Sequence, residues 1–145
     1  MHPACLTLFP KAWPIALSGR DVIVVAKTGS GKTLGFLLPA FHRLQQSQTG
    51  GFKPTIRAPP SILVLAPTRE LACQIEQEAQ KFGKSSGIRS VTCYGGAPKA
   101  LQIRQIRMGI EVAIATPGRM NDLLEMGCID LSKVQFLVLD EADRM

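Results

Sequence analysis

AKTGSGKTLGF, residues 26–36, places Gly29, Gly31 and other small residues directly before the pair Lys32-Thr33. An apolar run precedes this stretch, and a helical pattern begins near Lys32. Gly29 and Gly31 allow the loop to turn successive backbone N–H groups inward, and the helix adds the positive end of its dipole. The stretch therefore predicts a cradle for phosphate groups between a strand and a helix.

The end of this loop suits a triphosphate that carries a metal ion. The Lys32 ammonium would meet the β- and γ-phosphates as a point charge, and the Thr33 hydroxyl would bind Mg2+. The general pattern is G-x-x-x-x-G-K-[ST], and Ala26 replaces only its first glycine. A glycine-rich turn without a ligand is the alternative interpretation. The predicted nucleotide-binding residues of the loop are Ala26, Lys27, Thr28, Gly29, Ser30, Gly31, Lys32 and Thr33.

The composition is that of one folded domain. A chain of 145 residues that is 46% hydrophobic and 19% charged is too apolar for a disordered protein. The net charge of +6 permits an anionic partner, although a solvated basic surface explains the same excess. The four cysteines include no C-x-x-C pair, which argues against a zinc or redox site. Without a secretory leader or a run of about 18 apolar residues, we expect an intracellular protein, nuclear or cytoplasmic, and no membrane partner.

Short apolar runs alternate with helical patterns along the chain. The runs do not alternate with polar residues, as expected for strands that are buried on both faces. This repetition predicts an α/β fold, with a parallel β-sheet and flanking helices. The five predicted strands cover residues 22–26, 62–66, 91–94, 112–115 and 136–139. Helices are predicted over residues 11–17, 32–45, 70–82, 99–108 and 119–126, and a surface loop over residues 47–60.

Two acidic residues directly follow the last predicted strand. Asp140 and Glu141 would lie at the carboxyl end of that strand, where the phosphate loop also opens. Asp140 can hold Mg2+ through water, and Glu141 can orient or deprotonate an attacking water molecule. Solvated acids at a strand end are the alternative. We therefore predict Asp140 as a nucleotide and metal residue beside Thr33, and Glu141 with Lys32 as the catalytic pair.

Five short motifs follow one another in the chain. They are A-K-T-G-S-G-K-T at residues 26–33, P-T-R-E-L-A at 67–72, G-G at 95–96, T-P-G-R at 116–119 and D-E-A-D at 140–143. In this order, each at the end of a predicted strand, they resemble the motifs of DEAD-box ATP-dependent RNA helicases over nearly the whole chain from residue 13. The resemblance implies the N-terminal RecA-like lobe of a P-loop NTPase. In the complete enzyme, ATP and Mg2+ would drive local unwinding of RNA duplexes.

The resemblance also implies where RNA would bind. In the family, P-T-R-E-L-A, G-G and T-P-G-R hold the sugar–phosphate backbone of one RNA strand. Arg guanidinium groups, Thr hydroxyls and free backbone N–H groups suit phosphates and do not identify bases, so binding would be independent of sequence. Taken singly, the same residues also suit helix starts and plain turns. The implied RNA-contacting residues are Pro67, Thr68, Arg69, Gly95, Gly96, Thr116, Pro117, Gly118 and Arg119.

Both ends of the chain depart from the family pattern. Phe9 occupies the position of the Gln that recognises adenine, so we expect an atypical leader over residues 1–12 and the helicase lobe over residues 13–145. The Ser-Ala-Thr motif and the second lobe, with its arginine fingers, lie outside the sequence, which stops two residues after D-E-A-D. We therefore expect ATP hydrolysis close to background from the chain alone. We also expect a marginally stable domain, because the sheet edge after the fifth predicted strand lacks its cover.

Two other functions remain as alternatives. One is a fragment that binds nucleotide or RNA without turnover, because the second lobe is missing. The other is a different P-loop enzyme, such as a nucleotide kinase or DNA translocase, against which P-T-R-E-L-A and T-P-G-R argue.

Overall fold

The computed structural model of the chain describes residues 5–27, 29–47 and 56–145, with side chains from Pro10 onward. It divides the chain into two units, Met1–Gly51 and Phe52–Met145. Thr28 of the phosphate loop, most of the predicted surface loop and the first four residues of the predicted leader lie outside the described residues.

The first unit is a pair of helices, α1 (Cys5–Leu17) and α2 (Lys32–Ser47). The indole Nε1 of Trp13 donates a hydrogen bond of 3.0 Å to the carbonyl of Gly35, which joins the two helices. Helix α1 ends at Leu17, as predicted. Gly19 follows it with a left-handed φ of 80°, which favours glycine. The helix begins at Cys5, earlier than predicted.

Residues 22–26 form no strand, so this prediction was wrong. Their backbone pairs with no strand in the described part of the chain, and Ile23 and Val25 are each 95% exposed. A strand needs a neighbouring backbone to pair its N–H and C=O groups, and an apolar pattern does not supply that neighbour. The phosphate loop therefore follows an irregular segment rather than a strand.

The second unit contains a parallel sheet. Its strands are β1 (Ile62–Leu65), β2 (Ser90–Cys93), β3 (Val112–Ala115) and β4 (Phe136–Leu139). Across the sheet the order is β2-β3-β1-β4, and all the pairings are parallel. The strands pair residue by residue from their first residues, and Leu63 lies opposite Ala113 on one side and Leu137 on the other. These four strands confirm the predicted α/β fold, and their bounds agree with the predicted ones to within a residue.

Each of the first three strands leads into a helix. The helices are α3 (Arg69–Gly83) after β1, α4 (Lys99–Arg107) after β2 and α5 (Pro117–Glu125) after β3. Two short 3₁₀ helices, Lys84–Ser86 and Ala142–Arg144, follow α3 and β4. None of the helices in the described ranges combines the length and the apolar character that a bilayer crossing requires.

The centre of the sheet is the best-buried part of the second unit. Val64 of β1 and Val112 and Ile114 of β3 are fully buried, as predicted for inner parallel strands. At the edge strand β4, by contrast, Leu137 and Leu139 are 57% and 52% exposed, so this strand is covered on one face only. The apolar composition of β4 did not distinguish an edge strand from an inner one.

Two titratable groups of the second unit are buried, Glu76 of α3 and Cys93 of β2. Glu76 accepts hydrogen bonds from Gln80 Nε2 at 2.7 Å and Ser90 Oγ at 3.1 Å. Burial raises the pKa of its carboxyl, and side-chain hydrogen bonds with Gln80, Ser90 and Thr92 oppose the rise. Cys93, at the end of β2, has no exposed surface, and burial raises the pKa of its thiol to about 12.

Candidate functional site

The phosphate loop of the first unit has the backbone that its glycines predict. Gly29 and Gly31 have φ values of 78° and 77°, in the left-handed region that favours glycine. Between them, Ser30 donates its N–H to the carbonyl of Lys27 at 3.2 Å, which closes a tight turn. The Ser30 Oγ is buried and has no hydrogen-bond partner among the described residues. A buried hydroxyl of this kind fits a loop that is shaped to receive a polar group.

The loop leads directly into the first turn of α2. Lys32 and Thr33 are the first two residues of the helix, and the N–H of Gly35 bonds the carbonyl of Gly31 at 3.0 Å. Both side chains are half-buried. The N–H groups of a first helical turn have no carbonyl partner within the helix, so positive charge collects at this end. The Lys32 cation and the N–H groups of this turn suit phosphate oxygens, and the Thr33 hydroxyl oxygen suits a magnesium ion.

All the other predicted site residues follow the strands of the second unit. The carboxyl ends of parallel strands meet at one edge of a sheet, and here each strand runs into one motif. In the order across the sheet, the edge presents G-G after β2, T-P-G-R after β3, P-T-R-E-L-A after β1 and D-E-A-D after β4. We call this edge, with residues 94–97, 116–119, 67–72 and 140–143, the carboxyl edge. Three predicted RNA motifs are therefore neighbours, and the acidic pair lies beside them.

Backbone hydrogen bonds tie these motifs to the sheet. The N–H of Ala66 bonds the carbonyl of Ala115 at 2.9 Å, and the N–H of Thr116 bonds the carbonyl of Cys93 at 3.0 Å. The N–H of Asp140 bonds the carbonyl of Leu65 at 2.9 Å. The ladder thus continues one residue beyond the strands, and the motifs begin from a fixed backbone.

P-T-R-E-L-A forms the start of α3. Thr68 is the N-cap residue, and its Oγ1 accepts a hydrogen bond of 3.3 Å from the N–H of Leu71. A hydroxyl that accepts in this way keeps its own proton, so it can still donate to an anion. Pro67 is half-buried before the cap, and Arg69 is exposed with its guanidinium carbon 4.8 Å from the centroid of the Tyr94 ring.

The glycine pair after β2 forms an open turn. Gly95 and Gly96 are both exposed, and a Cβ built on either one would meet no atom within 4 Å. Only Gly96 requires glycine for its conformation, because its φ is 80°. The surface over this turn is therefore open to a ligand that approaches the backbone closely.

T-P-G-R forms the start of α5. Thr116 is the N-cap residue but makes no side-chain capping hydrogen bond, and Pro117 occupies the first turn. The exposed Gly118 leaves this helix start accessible. The side chain of Arg119 is only 9% exposed. Its Nη1 donates inward, to Gln102 Oε1 at 2.9 Å and to the carbonyl of Ala97 at 3.3 Å.

The acidic pair lies at the end of β4. Asp140 is 4% exposed, and Glu141 has a left-handed φ of 50°, which is a strained conformation for a residue with a Cβ. Glu141 Oε2 accepts a hydrogen bond of 2.9 Å from Arg144 Nη1. Within the described ranges, no three His, Cys, Asp or Glu side chains form a metal-ligand cluster. A magnesium ion needs no such cluster, since it keeps several waters and binds through one or two protein oxygens.

Tyr94 of the carboxyl edge and Gln102, which bonds to it, were not predicted from the sequence. Gln102, on α4, is 4% exposed and connects the glycine turn with Arg119. Tyr94 precedes the turn and lies against Arg69. A glutamine within a helix and a tyrosine at a strand end are ordinary in sequence, so only their contacts in the fold reveal them.

Comparisons with known proteins identify the same family. The family model described as "DEAD/DEAH box helicase" matches residues 10–145. The chain is 58% identical over 135 residues to an ATP-dependent RNA helicase-like protein DB10 of Nicotiana sylvestris, covering 93% of this chain and 21% of that protein. It is 54% identical over 146 aligned positions to an ATP-dependent RNA helicase DBP2 of Chaetomium thermophilum, covering 99% of this chain and 25% of that one.

A solved structure agrees with the fold. A hypothetical ATP-dependent RNA helicase from Sulfolobus tokodaii superposes with a TM-score of 0.79 at 31% identity, over 99% of this chain and 42% of that one. The chain spans about a fifth to a quarter of the length of the relatives that it matches in sequence. From the motifs on one sheet edge, the family match and this superposition, we conclude that the chain belongs to the DEAD/DEAH box helicase family.

Proposed function

We propose that this chain is the lobe of an ATP-dependent RNA helicase that binds ATP and holds the RNA backbone. The single observation that supports the proposal most strongly is the carboxyl edge, where four neighbouring strands end in four motifs. In the whole protein, ATP hydrolysis would be coupled to the local separation of RNA strands. The names of the relatives, which include RNA helicases of plants and fungi, support the same activity.

ATP would bind through the phosphate loop. The loop N–H groups and Lys32 would hold the β- and γ-phosphates, and the turn at Gly29 and Gly31 has the backbone that such a cradle requires. Ala26, Lys27, Thr28 and Ser30 complete the proposed nucleotide-binding loop.

Thr33 and Asp140 would hold Mg2+, Thr33 through its hydroxyl and Asp140 through water. The ion, when bound, neutralises charge on the phosphate oxygens. Glu141 would orient the attacking water and accept its proton. Its hydrogen bond with Arg144 fixes one carboxylate oxygen and leaves the other to act.

RNA would lie along the motifs that follow β2, β3 and β1. The hydroxyl of Thr68, the guanidinium of Arg69 and the backbone at Gly95, Gly96 and the start of α5 offer hydrogen-bond donors for phosphate oxygens. Because these donors would meet phosphate oxygens rather than base edges, binding would depend on the backbone rather than the sequence. Binding to phosphates releases the cations that surround RNA, so the affinity falls steeply as salt is added.

Isothermal titration calorimetry with Mg-ATP tests the nucleotide half of the proposal. The 145-residue chain is compared with a Lys32→Ala variant and a Lys11→Ala variant, since Lys11 is an exposed lysine of α1. We expect saturable binding that Lys32→Ala abolishes and Lys11→Ala retains. Equal binding by both variants, with the fold checked by circular dichroism, would contradict the assignment of the loop.

Fluorescence anisotropy with labelled single-stranded RNA tests the other half. We expect two RNAs of different sequence to bind with equal affinity, and both affinities to fall as salt is raised from 50 to 200 mM, by a factor that grows with the number of phosphate contacts. An affinity that does not change with salt would contradict the proposed backbone contacts.

A further inference from the structure

Gln102 is a buried polar residue that has no assigned role in the proposed function. It is 4% exposed on α4, whereas Gln105, one turn later on the same helix, is exposed. A buried amide carries a cost unless its donors and acceptor are paired, so its partners indicate its role.

Both functional atoms of this amide are paired with the carboxyl edge. Nε2 donates to the carbonyl of Tyr94 at 3.1 Å, and Oε1 accepts from Arg119 Nη1 at 2.9 Å. The same Nη1 donates to the carbonyl of Ala97 at 3.3 Å. Tyr94 and Ala97 are the residues on either side of the Gly95-Gly96 turn. The two ends of that turn are therefore held by Gln102 and Arg119, which also hold each other.

The glutamine amide supplies both halves of this link. A carbonyl can only accept a hydrogen bond and a guanidinium can only donate one, so the bridging side chain must present a donor to the first and an acceptor to the second. The same partners set the orientation of the amide group. A methionine of similar length would offer neither group, and a glutamate would place an acceptor against the carbonyl of Tyr94.

The far side of Arg119 is also held. Asp122 Oδ2 lies 3.8 Å from Arg119 Nε and 3.4 Å from Lys99 Nζ. Asp122 is half-exposed, so this ion pair is screened by solvent, while the bond to Gln102 is buried. The buried bond is therefore the one that fixes the guanidinium relative to the glycine turn.

We propose that Gln102 is a positioning residue for RNA binding, which holds the Gly95-Gly96 turn in register with the start of α5. It does not touch RNA itself. It acts through Arg119 and the carbonyl of Tyr94, so that the turn and the helix start meet consecutive phosphates of one strand. This inference rests on the proposed RNA-binding function.

The test compares Gln102→Met with Gln105→Met, which makes the same chemical change on the exposed side of α4. RNA affinity is measured by fluorescence anisotropy on the 145-residue chain, well below the melting temperature of every variant. We expect Gln102→Met to weaken RNA binding about tenfold, the equivalent of one lost hydrogen bond to a charged group, and Gln105→Met to have no effect. Mg-ATP affinity should be unchanged in both variants.

A double-mutant cycle separates positioning from general destabilisation. Because Gln102 acts in part through Arg119, the loss of RNA affinity in Gln102→Met combined with Arg119→Met should be smaller than the sum of the two single losses. Fully additive losses would overturn the proposal, as would wild-type affinity in Gln102→Met.

An NMR measurement keeps the inference separate from the proposed function. If the wild-type chain does not bind RNA, the proposed function fails, and the backbone amide resonances of Gly95 and Gly96 then decide the inference. We expect Gln102→Met to shift these resonances and to speed their hydrogen exchange, and Gln105→Met to leave them in place. Unchanged resonances in Gln102→Met would overturn the positioning role whether or not RNA binds.

Discussion

The guanidinium carbon of Arg69 lies 4.8 Å from the centroid of the Tyr94 ring, so the start of α3 and the end of β2 are in contact across the carboxyl edge. The two residues follow β1 and β2, which are separated in the sheet by β3. The ring limits the positions that the exposed Arg69 side chain can adopt. Arg69 is therefore partly ordered before any phosphate reaches it.

Removing the ring should weaken RNA binding without changing the fold. We expect Tyr94→Leu to raise the Kd for single-stranded RNA about two- to fivefold, the value of a cation–π contact at a solvated site. Tyr94→Phe keeps the aromatic face and should bind like the wild type. Fluorescence anisotropy measures both, and an equal loss in the two variants would assign the effect to the phenol hydroxyl instead.

Thr68 should contribute to both stability and binding. Thr68→Ala removes the oxygen that caps α3, so we expect the free energy of unfolding to fall by about 1 kcal/mol. It also removes a phosphate donor, which should raise the Kd for RNA about fivefold. Thr68→Ser keeps the hydroxyl and should restore both quantities. Urea unfolding and anisotropy provide the two readouts, and a serine variant as weak as the alanine variant would count against the hydroxyl.

The two glycines after β2 should respond differently to alanine. Gly96→Ala places a Cβ at a φ of 80°, which should cost about 1 to 2 kcal/mol of stability. Gly95→Ala requires no such strain and meets no neighbouring atom, so its stability should equal that of the wild type. Both methyl groups would still obstruct a phosphate, and we expect both variants to lose RNA affinity. Retained affinity in Gly95→Ala would show that RNA does not approach this turn.

Glu76 should make the stability of the chain depend on pH. Burial raises the pKa of its carboxyl above the ordinary value of 4.5 in the folded state. Between pH 4.5 and the folded pKa, the folded chain holds a proton that the unfolded chain releases. The stabilisation from this proton is therefore full below pH 4.5 and is lost as the pH rises through the folded pKa.

Glu76→Gln should remove this dependence. Its melting temperature at pH 7 should exceed that of the wild type, and the difference should shrink as the pH falls to 4. Glu125→Gln changes an exposed carboxyl at the end of α5 and should have no such effect. A difference in melting temperature between Glu76→Gln and the wild type that stays constant from pH 4 to 7 would show that the pKa of Glu76 does not change on folding.

The sequence predicted those elements whose pattern needs no information from the rest of the fold. Strands β1 and β3 were recognisable because inner strands of a parallel sheet are apolar on both faces. Helix α3 was recognisable because its apolar residues, Leu71, Ile75, Ala79 and Phe82, recur on one face. The pattern of residues 22–26 is equally apolar, yet these residues pair with no strand among those described. Pairing depends on a neighbour, and periodicity carries no information about neighbours.

The resemblance supplied the residue types of the candidate site but not their contacts. The resemblance placed Arg119 among the residues that would contact RNA, and in the structure its Nη1 bonds Gln102 and Ala97, which are 17 and 22 residues away along the chain. Separations of this size leave no local pattern. The same reason explains why Gln102 could not be identified from its helix alone.

Cys93 provides a way to time motions of the second unit. Thiolates are the form that alkylating reagents attack, and a buried thiol with a pKa of about 12 supplies almost none of it at neutral pH. Cys73 and Cys128 are partly exposed and should react while the chain stays folded. The rate at which iodoacetamide modifies Cys93, followed by mass spectrometry, therefore measures how often β2 opens. A ligand that holds the adjoining glycine turn in place should lower this rate.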